Sequence, residues 1–272
     1  MLVKLLSFVA FGASCVLASA TPTVPASLNP PASVLVSSYH PVSQIAARGL
    51  SNAKRLASGL PLKPPSRRRR PFVARAQPSG VVLTQGYILA KDGDGNPVGY
   101  VNKAQNAYGE YVVDTDDTDP NDRLIVAIYL ADAPSGTANI QTINGPDADL
   151  PFFGGIVGYA STSNDFNPLS FNYAFVGGTA PTPPNSPAIS GSNTYSKRTN
   201  DQKAFESAIW TLDGNTYQLT PQWINSDGSS PTTYLGLSNG IVTLTGDIDA
   251  FVNSFGPANW VTFYFVPGSA PA

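Results

Sequence analysis

Trp260-Val261-Thr262-Phe263-Tyr264-Phe265-Val266 is the stretch that decides the fold class. Aromatic and β-branched residues suit a pleated strand, whereas their stiff χ1 rotamers crowd a helical turn. Large side chains fall on both parities, so the run predicts a central strand covered on both faces. Working outward, further short β-rich runs recur at residues 81–90, 98–102, 110–113, 124–131, 139–143, 155–160, 172–176, 207–212, 217–219, 222–225, 232–235 and 241–245. Gly, Asn, Asp and Pro clusters separate them. This spacing predicts an all-β fold, an antiparallel β-sandwich of jelly-roll-like type.

Asp92-Gly93-Asp94-Gly95-Asn96-Pro97 and Asp213-Gly214-Asn215 are turn sequences, because Gly and Asn accept the positive φ of tight hairpins. The two segments around them, residues 88–102 and 209–225, share a strand, an Asp-Gly turn, a strand and an aromatic-aliphatic-Asn ending. One short helix is expected in the C-terminal region. Asp247 can cap it, Ile248, Phe251, Val252 and Phe255 share its apolar face, and Gly256 ends it. Residues 178–203, which contain Thr182-Pro183-Pro184-Asn185-Ser186-Pro187, read as one long exposed loop.

The region before the β-rich part is of another kind. Lys4, a short apolar core and the small triplet Ala18-Ser19-Ala20 make residues 1–20 a secretory signal peptide cut after Ala20. Residues 21–70 read as a propeptide or basic linker rich in Pro, Ser and Ala. It ends in Arg67-Arg68-Arg69-Arg70, where a kexin-like processing protease would cut at Arg69 or Arg70. Residues 71–272 form the mature β domain. All eighteen acidic residues lie there against seven basic ones, a net charge of −11, which repels nucleic acid and anionic membranes. The expected location is extracellular.

The inventory also limits the chemistry. The sole cysteine, Cys15, falls in the signal peptide and the sole histidine, His40, in the propeptide. The mature domain therefore has neither a Ser-His-Asp or Cys-His mechanism nor a His or Cys metal site. Only two glutamates remain, Glu110 and Glu206, which a glycan hydrolase could use as a carboxylate pair, provided the fold sets them roughly 5 to 9 Å apart. Asp114, Asp116, Asp117, Asp119 and Asp122 crowd into nine residues and supply the hard oxygens that calcium prefers, although without EF-hand spacing. No other cofactor is expected. For carbohydrate binding by aromatic platforms, Trp223 is the ring expected to be exposed, with Tyr108 and Asp227 as further binding residues. Gly154-Gly155-Ile156-Val157-Gly158 reads as a strand packed closely on a neighbour rather than as a phosphate loop.

The runs Glu206-Ser207-Ala208-Ile209-Trp210, Leu219-Thr220-Pro221-Gln222-Trp223-Ile224-Asn225-Ser226-Asp227-Gly228-Ser229, Leu244-Thr245-Gly246-Asp247 and Val261-Thr262-Phe263 carry a resemblance. With the polybasic propeptide and the segment from Phe153 to Ser163, they are similar to a family of small secreted proteins of basidiomycete fungi. The resemblance spans nearly all of the mature domain. It implies a non-catalytic accessory role, that of the small stabilising subunit of a heterodimeric laccase. The expected partner is then a secreted oxidase subunit, or, on the binding-module alternative, a cell-wall polysaccharide.

Overall fold

The computed structural model describes residues 26–36, 83–129 and 136–268. The predicted signal peptide with Ala20, and the processing residues Arg69 and Arg70, lie outside them. Among the described residues there are fourteen strands and two short α-helices, and every strand pairing is antiparallel. In chain order the strands are β1 (Leu83–Lys91), β2 (Pro97–Gln105), β3 (Tyr111–Asp114), β4 (Val126–Tyr129), β5 (Ile140–Thr142), β6 (Phe152–Val157) and β7 (Tyr173–Thr179). Then come β8 (Phe205–Glu206), β9 (Trp210–Leu212), β10 (Gln218–Pro221), β11 (Tyr234–Ser238), β12 (Ile241–Thr245), β13 (Asn259–Trp260) and β14 (Thr262–Pro267).

All fourteen belong to one hydrogen-bonded sheet, in the order β13-β11-β12-β7-β6-β5-β4-β1-β14-β10-β9, with β2, β3 and β8 attached beside that path. The sheet curls until distant strands meet. Ala138, just before β5, bridges Trp210 of β9 and so closes the run β5-β4-β1-β14-β10-β9 on itself. The inward side chains fill one core, in which Phe153 packs against Tyr111, Trp210 and Phe263.

The turns form for the reasons their residues suggest. Asp92 accepts from the backbone N–H groups of Asp94 and Asn96 through Oδ1, and Gly95 takes φ 85°. Asp213 likewise accepts from Asn215 and Thr216. These side chains satisfy turn amides that lack ladder partners.

The quoted terminal run behaves differently from its pattern. It is split at Val261, so that Asn259–Trp260 pair with β11 while Thr262–Pro267 lie between β1 and β10. The position is central, but only the Phe263 and Phe265 face is buried, whereas Tyr264 and Val266 are half exposed. The strands covered on both faces include β6, β7 and β12. Every residue of β7 is buried, with Ala174 and Val176 in the inner core and Tyr173 and Phe175 in a second cluster on the outer face. The glycines of β6 and β7 permit close approach: a Cβ on Gly154 would lie 2.6 Å from the Glu206 carbonyl oxygen.

Two helices cover that outer cluster. α2 (Ile248–Phe255) follows its sequence signals, since Asp247 accepts from the Ala250 N–H, Gly256 ends the helix at φ 88°, and Phe251 is fully buried. α1 (Thr194–Thr199) falls inside the stretch expected to be loop. Asn193 caps it by accepting from Ser196 N–H, and Asn200 terminates it in the left-handed conformation. Its buried residues are Thr194, Tyr195, Ser196 and Thr199, and a single ring among small polar side chains gives too little periodicity to read in six residues. Residues 222–225, expected to be a strand, form an irregular buried segment instead. No helix among the described residues is long and apolar enough to cross a membrane.

Residues 26–36 complete the outer face. They fall in the predicted propeptide, yet they lie as a strap across α1, α2 and β7, with Leu28 packed on the outer cluster and Pro30 buried.

Candidate functional site

The polar centre of the outer face is Glu110, which has no exposed surface. It sits just before β3 and bridges Gly177 of β7. The local sequence Asn106-Ala107-Tyr108-Gly109-Glu110 turns tightly because Asn106 Oδ1 accepts from the N–H groups of Tyr108 and Glu110, while Gly109 takes φ 88°. A Cβ on Gly109 would collide with Thr194 of α1, so glycine is required there on both counts.

Glu110 Oε2 accepts from Asn106 Nδ2 at 2.6 Å and from Asn29 Nδ2 of the strap at 2.9 Å. Its Oε1 is buried with no hydrogen-bond partner among the described residues, as is Asn29 Oδ1 on the very amide that binds it. Burial pushes the Glu110 carboxyl up to about 7, against the opposing pull of the two asparagine amides and the Arg198 guanidinium. Arg198, on α1, donates to the Asn106 carbonyl and to Gln105 Oε1.

Tyrosine hydroxyls flank this carboxyl and bind the strap. Tyr173 donates to the Leu28 carbonyl at 2.6 Å and Tyr108 to the Pro30 carbonyl at 2.7 Å. Burial holds the Tyr173 and Tyr195 hydroxyls well above the usual phenol range, so both stay protonated donors. Ala26 N–H donates to the Ser254 carbonyl of α2, and Val36 N–H to the Arg198 carbonyl of α1.

Glu206 occupies a separate environment. It pairs with Gly155 of β6, is 2% exposed, and accepts from Ile224 N–H through both carboxyl oxygens at 3.3 and 3.2 Å. Burial pushes this carboxyl up to about 9. The structure does not bring the two glutamates together. From Glu110 the path runs to Gly177, then Gly154, then past the adjacent Gly155 to Glu206. That is three strand steps, roughly 14 Å at ~4.8 Å each. Pleat alternation also sends them apart. Gly177 shares the outer face with Phe175, Gly155 shares the inner face with Phe153, and paired residues share a face. A carboxylate pair for glycoside hydrolysis needs facing groups about 5 to 9.5 Å apart, so the paired reading is corrected.

Trp223, expected to be exposed, has no exposed surface. Its ring stacks on Phe166 with centroids 4.7 Å apart, and its Nε1 donates to the Asn164 carbonyl at 2.7 Å. The polar neighbours that suggested a surface are satisfied internally: Asn225 is buried and accepts from Phe166 N–H. Asp227 is exposed in a turn, where it accepts from Ser229 N–H. Tyr108 lies in the strap site on the opposite side of the sheet from Trp223. The three expected binding residues thus occupy three places.

The acidic loop distributes its carboxylates to separate tasks. Asp114 accepts from the N–H groups of Asp116 and Asp117, and Asp119 caps the 3-10 turn Pro120–Asp122. Asp117 pairs with Arg123, whose guanidinium lies over the Tyr100 ring, 3.8 Å from its centroid, and Asp122 pairs with Lys103 at 3.0 Å. Among the described residues, no three Asp, Glu, His or Cys side chains gather as metal ligands would.

A shallow groove of about 280 Å³ opens where the chain crosses at Val261, between β10, β11 and β14. Thr220, Thr233 and Thr262 line it beside the rings of Tyr234 and Trp260, and Tyr234 is 40% exposed. What brings these two rings together is the Val261 crossing, which no local pattern announces. No protein-family model, curated protein or solved structure matches this chain.

Proposed function

We propose that this is a secreted, non-catalytic accessory or binding protein, with a secreted oxidase subunit, laccase-like in class, as its partner. The observation that carries the reading is the separation of Glu110 and Glu206 onto opposite sheet faces. Each of these glutamates works singly in the interior, against asparagine amides in one case and a backbone N–H in the other. The resemblance to small subunits of heterodimeric laccases supports the choice of partner, and the absence of His and Cys from residues 71–272 is in keeping with it. The finer architecture, a jelly-roll-like sandwich, belongs to the same proposal and is supported by inward residues from both halves of the sheet meeting in one core. Native protein purified from culture fluid tests the role: an oxidase that co-elutes through two orthogonal columns is expected, and a lone monomer with no retained partner sinks it.

The groove beside Tyr234 favours a second reading, a carbohydrate-binding surface on a cell-wall polysaccharide. An exposed ring with threonine hydroxyls around it matches how sugars are stacked and hydrogen-bonded. Retention on insoluble cell-wall polysaccharide, lost at least tenfold in Tyr234→Ala with an unchanged melting temperature, is the expected result. Equal retention by the variant excludes the groove.

A further inference from the structure

The strap is held in the manner of a recognised ligand. Hydroxyls of Tyr108 and Tyr173 donate to the carbonyls of Pro30 and Leu28, two residues apart where the chain bends at Leu28 and Asn29. Pro30 is buried, and Pro31, with φ −56° and ψ 143°, has a polyproline II conformation just before the 3-10 turn Ala32–Val34. Aromatic-lined grooves that bind proline-rich segments gain from the same restriction, since fixed proline φ angles lower the entropy the chain loses on docking. Here Asn29 adds a specific contact to Glu110. Beyond the half-buried Leu28 and Asn29 and the buried Pro30, most of the strap is exposed, which is how a bound peptide rather than a core element sits.

We propose that Tyr108, Glu110 and Tyr173 form a recognition site for a bent, proline-containing peptide, with Asn29-Pro30-Pro31 as its built-in, exchangeable occupant. A cut in the arginine run expected from the sequence would leave residues 26–36 without a covalent link to the β domain. The site would then accept a chain of the same chemistry from another polypeptide. This inference does not depend on whether the protein accompanies an oxidase.

The same contacts give a means of release. A protonated Glu110 satisfies both orphaned atoms, because its acidic O–H can donate to an acceptor such as Asn29 Oδ1 while its other oxygen accepts from Asn29 Nδ2. Once it is ionised, Glu110 Oε1 and Asn29 Oδ1 are both acceptors, buried with no donor among the described residues. Of the groups around it, Tyr173 and Tyr195 remain neutral, Asn29 and Asn106 do not titrate, and the Arg198 guanidinium pulls the Glu110 carboxyl down against its burial. Glu110, pushed up to about 7, is thus the switch.

The test uses the secreted chain cut at the arginine run by a basic-site protease, with a fluorescent peptide of residues 26–36 as probe. The peptide is expected to exchange into the cut protein and to bind at least tenfold more tightly at pH 5.5 than at pH 8.5. Asn29→Ala in the peptide should weaken binding tenfold or more at pH 5.5. In the uncut chain the tethered strap competes at millimolar effective concentration, so labelling should fall about a hundredfold. Glu110→Gln, which donates and accepts as the protonated acid does, is expected to bind equally at both pH values. Near-UV circular dichroism of the emptied protein reports whether the domain keeps its packing. A strap that never exchanges at either pH, or a domain that loses its near-UV signal when the strap leaves, overturns the proposal and makes the segment an integral part of the fold. Equal wild-type affinity at both pH values overturns the switch.

Discussion

Asn225 and Trp223 show how a polar flank can mislead at the scale of single residues. Polar neighbours suggest solvent, yet Asn225 turns its amide to Phe166 N–H and Ser229, and Trp223 spends its one donor on the Asn164 carbonyl. A buried indole with a satisfied N–H is a packing element. Trp223→Ala is therefore expected to cost about 3–5 kcal/mol of unfolding free energy, read as a lower urea midpoint. Glu110 and Glu206 differ in the same local way. Both are buried, but Glu206 meets a backbone N–H, whereas Glu110 meets one side-chain amide from its own turn and one from the strap, 81 residues away. Neither difference is visible in the identical residue type.

Capping and close approach decide matters at the scale of elements. α2 was legible because cap, apolar stripe and terminator stand in order, and each has its expected contact. Asp247 does more than cap, since its second oxygen accepts from Leu169 N–H across a distant loop. Asp247→Ala is expected to cost about 1–2 kcal/mol in chemical denaturation, with Asp247→Asn closer to wild type. α1 was hidden because six residues cannot display a helical period, and its burial comes from Tyr195 lying against Phe175. β7 tolerates its neighbours only because Gly177 has no side chain. A Cβ there would lie 2.7 Å from Ile156 Cδ1 and 2.8 Å from the Gly109 carbonyl oxygen. Gly177→Ala is expected to cost roughly 1–3 kcal/mol through overpacking and to loosen the Glu110 turn, seen as faster amide exchange at Tyr108.

For the whole molecule, two buried acids set the pH dependence of stability. Both have folded pKa values raised above the ordinary carboxyl value, so the folded state binds more protons than the unfolded one. Their contribution is fully present below about 4.5. It is lost as pH rises, through about 7 for Glu110 and about 9 for Glu206. Thermal melts are expected to fall by roughly 6–12 °C between pH 5 and pH 8 from Glu110 alone, taking ~3 kcal/mol and the response typical of a domain this size. Glu206→Gln should retain its acceptor for Ile224 N–H and flatten the decline on the alkaline side. A wild-type melting temperature that is flat from pH 5 to 9 counts against both assignments.

The sequence by itself determined the class: antiparallel β strands, their approximate number and spacing, the Asp-capped hairpin turns, the helix after Asp247 and the close-packed glycines of β6. These follow from local rules of alternation, turn chemistry and capping, which act over a few residues. Only the tertiary structure decided which strands are covered twice, where Trp223 faces, that Glu110 and Glu206 part to opposite faces, and that residues 26–36 lie over the first of them. The reason is physical. Which face a residue takes depends on register with a partner strand far away in sequence, and a one-residue shift reverses it. The contact between Asn29 and Glu110, 81 residues apart, has no local signature at all.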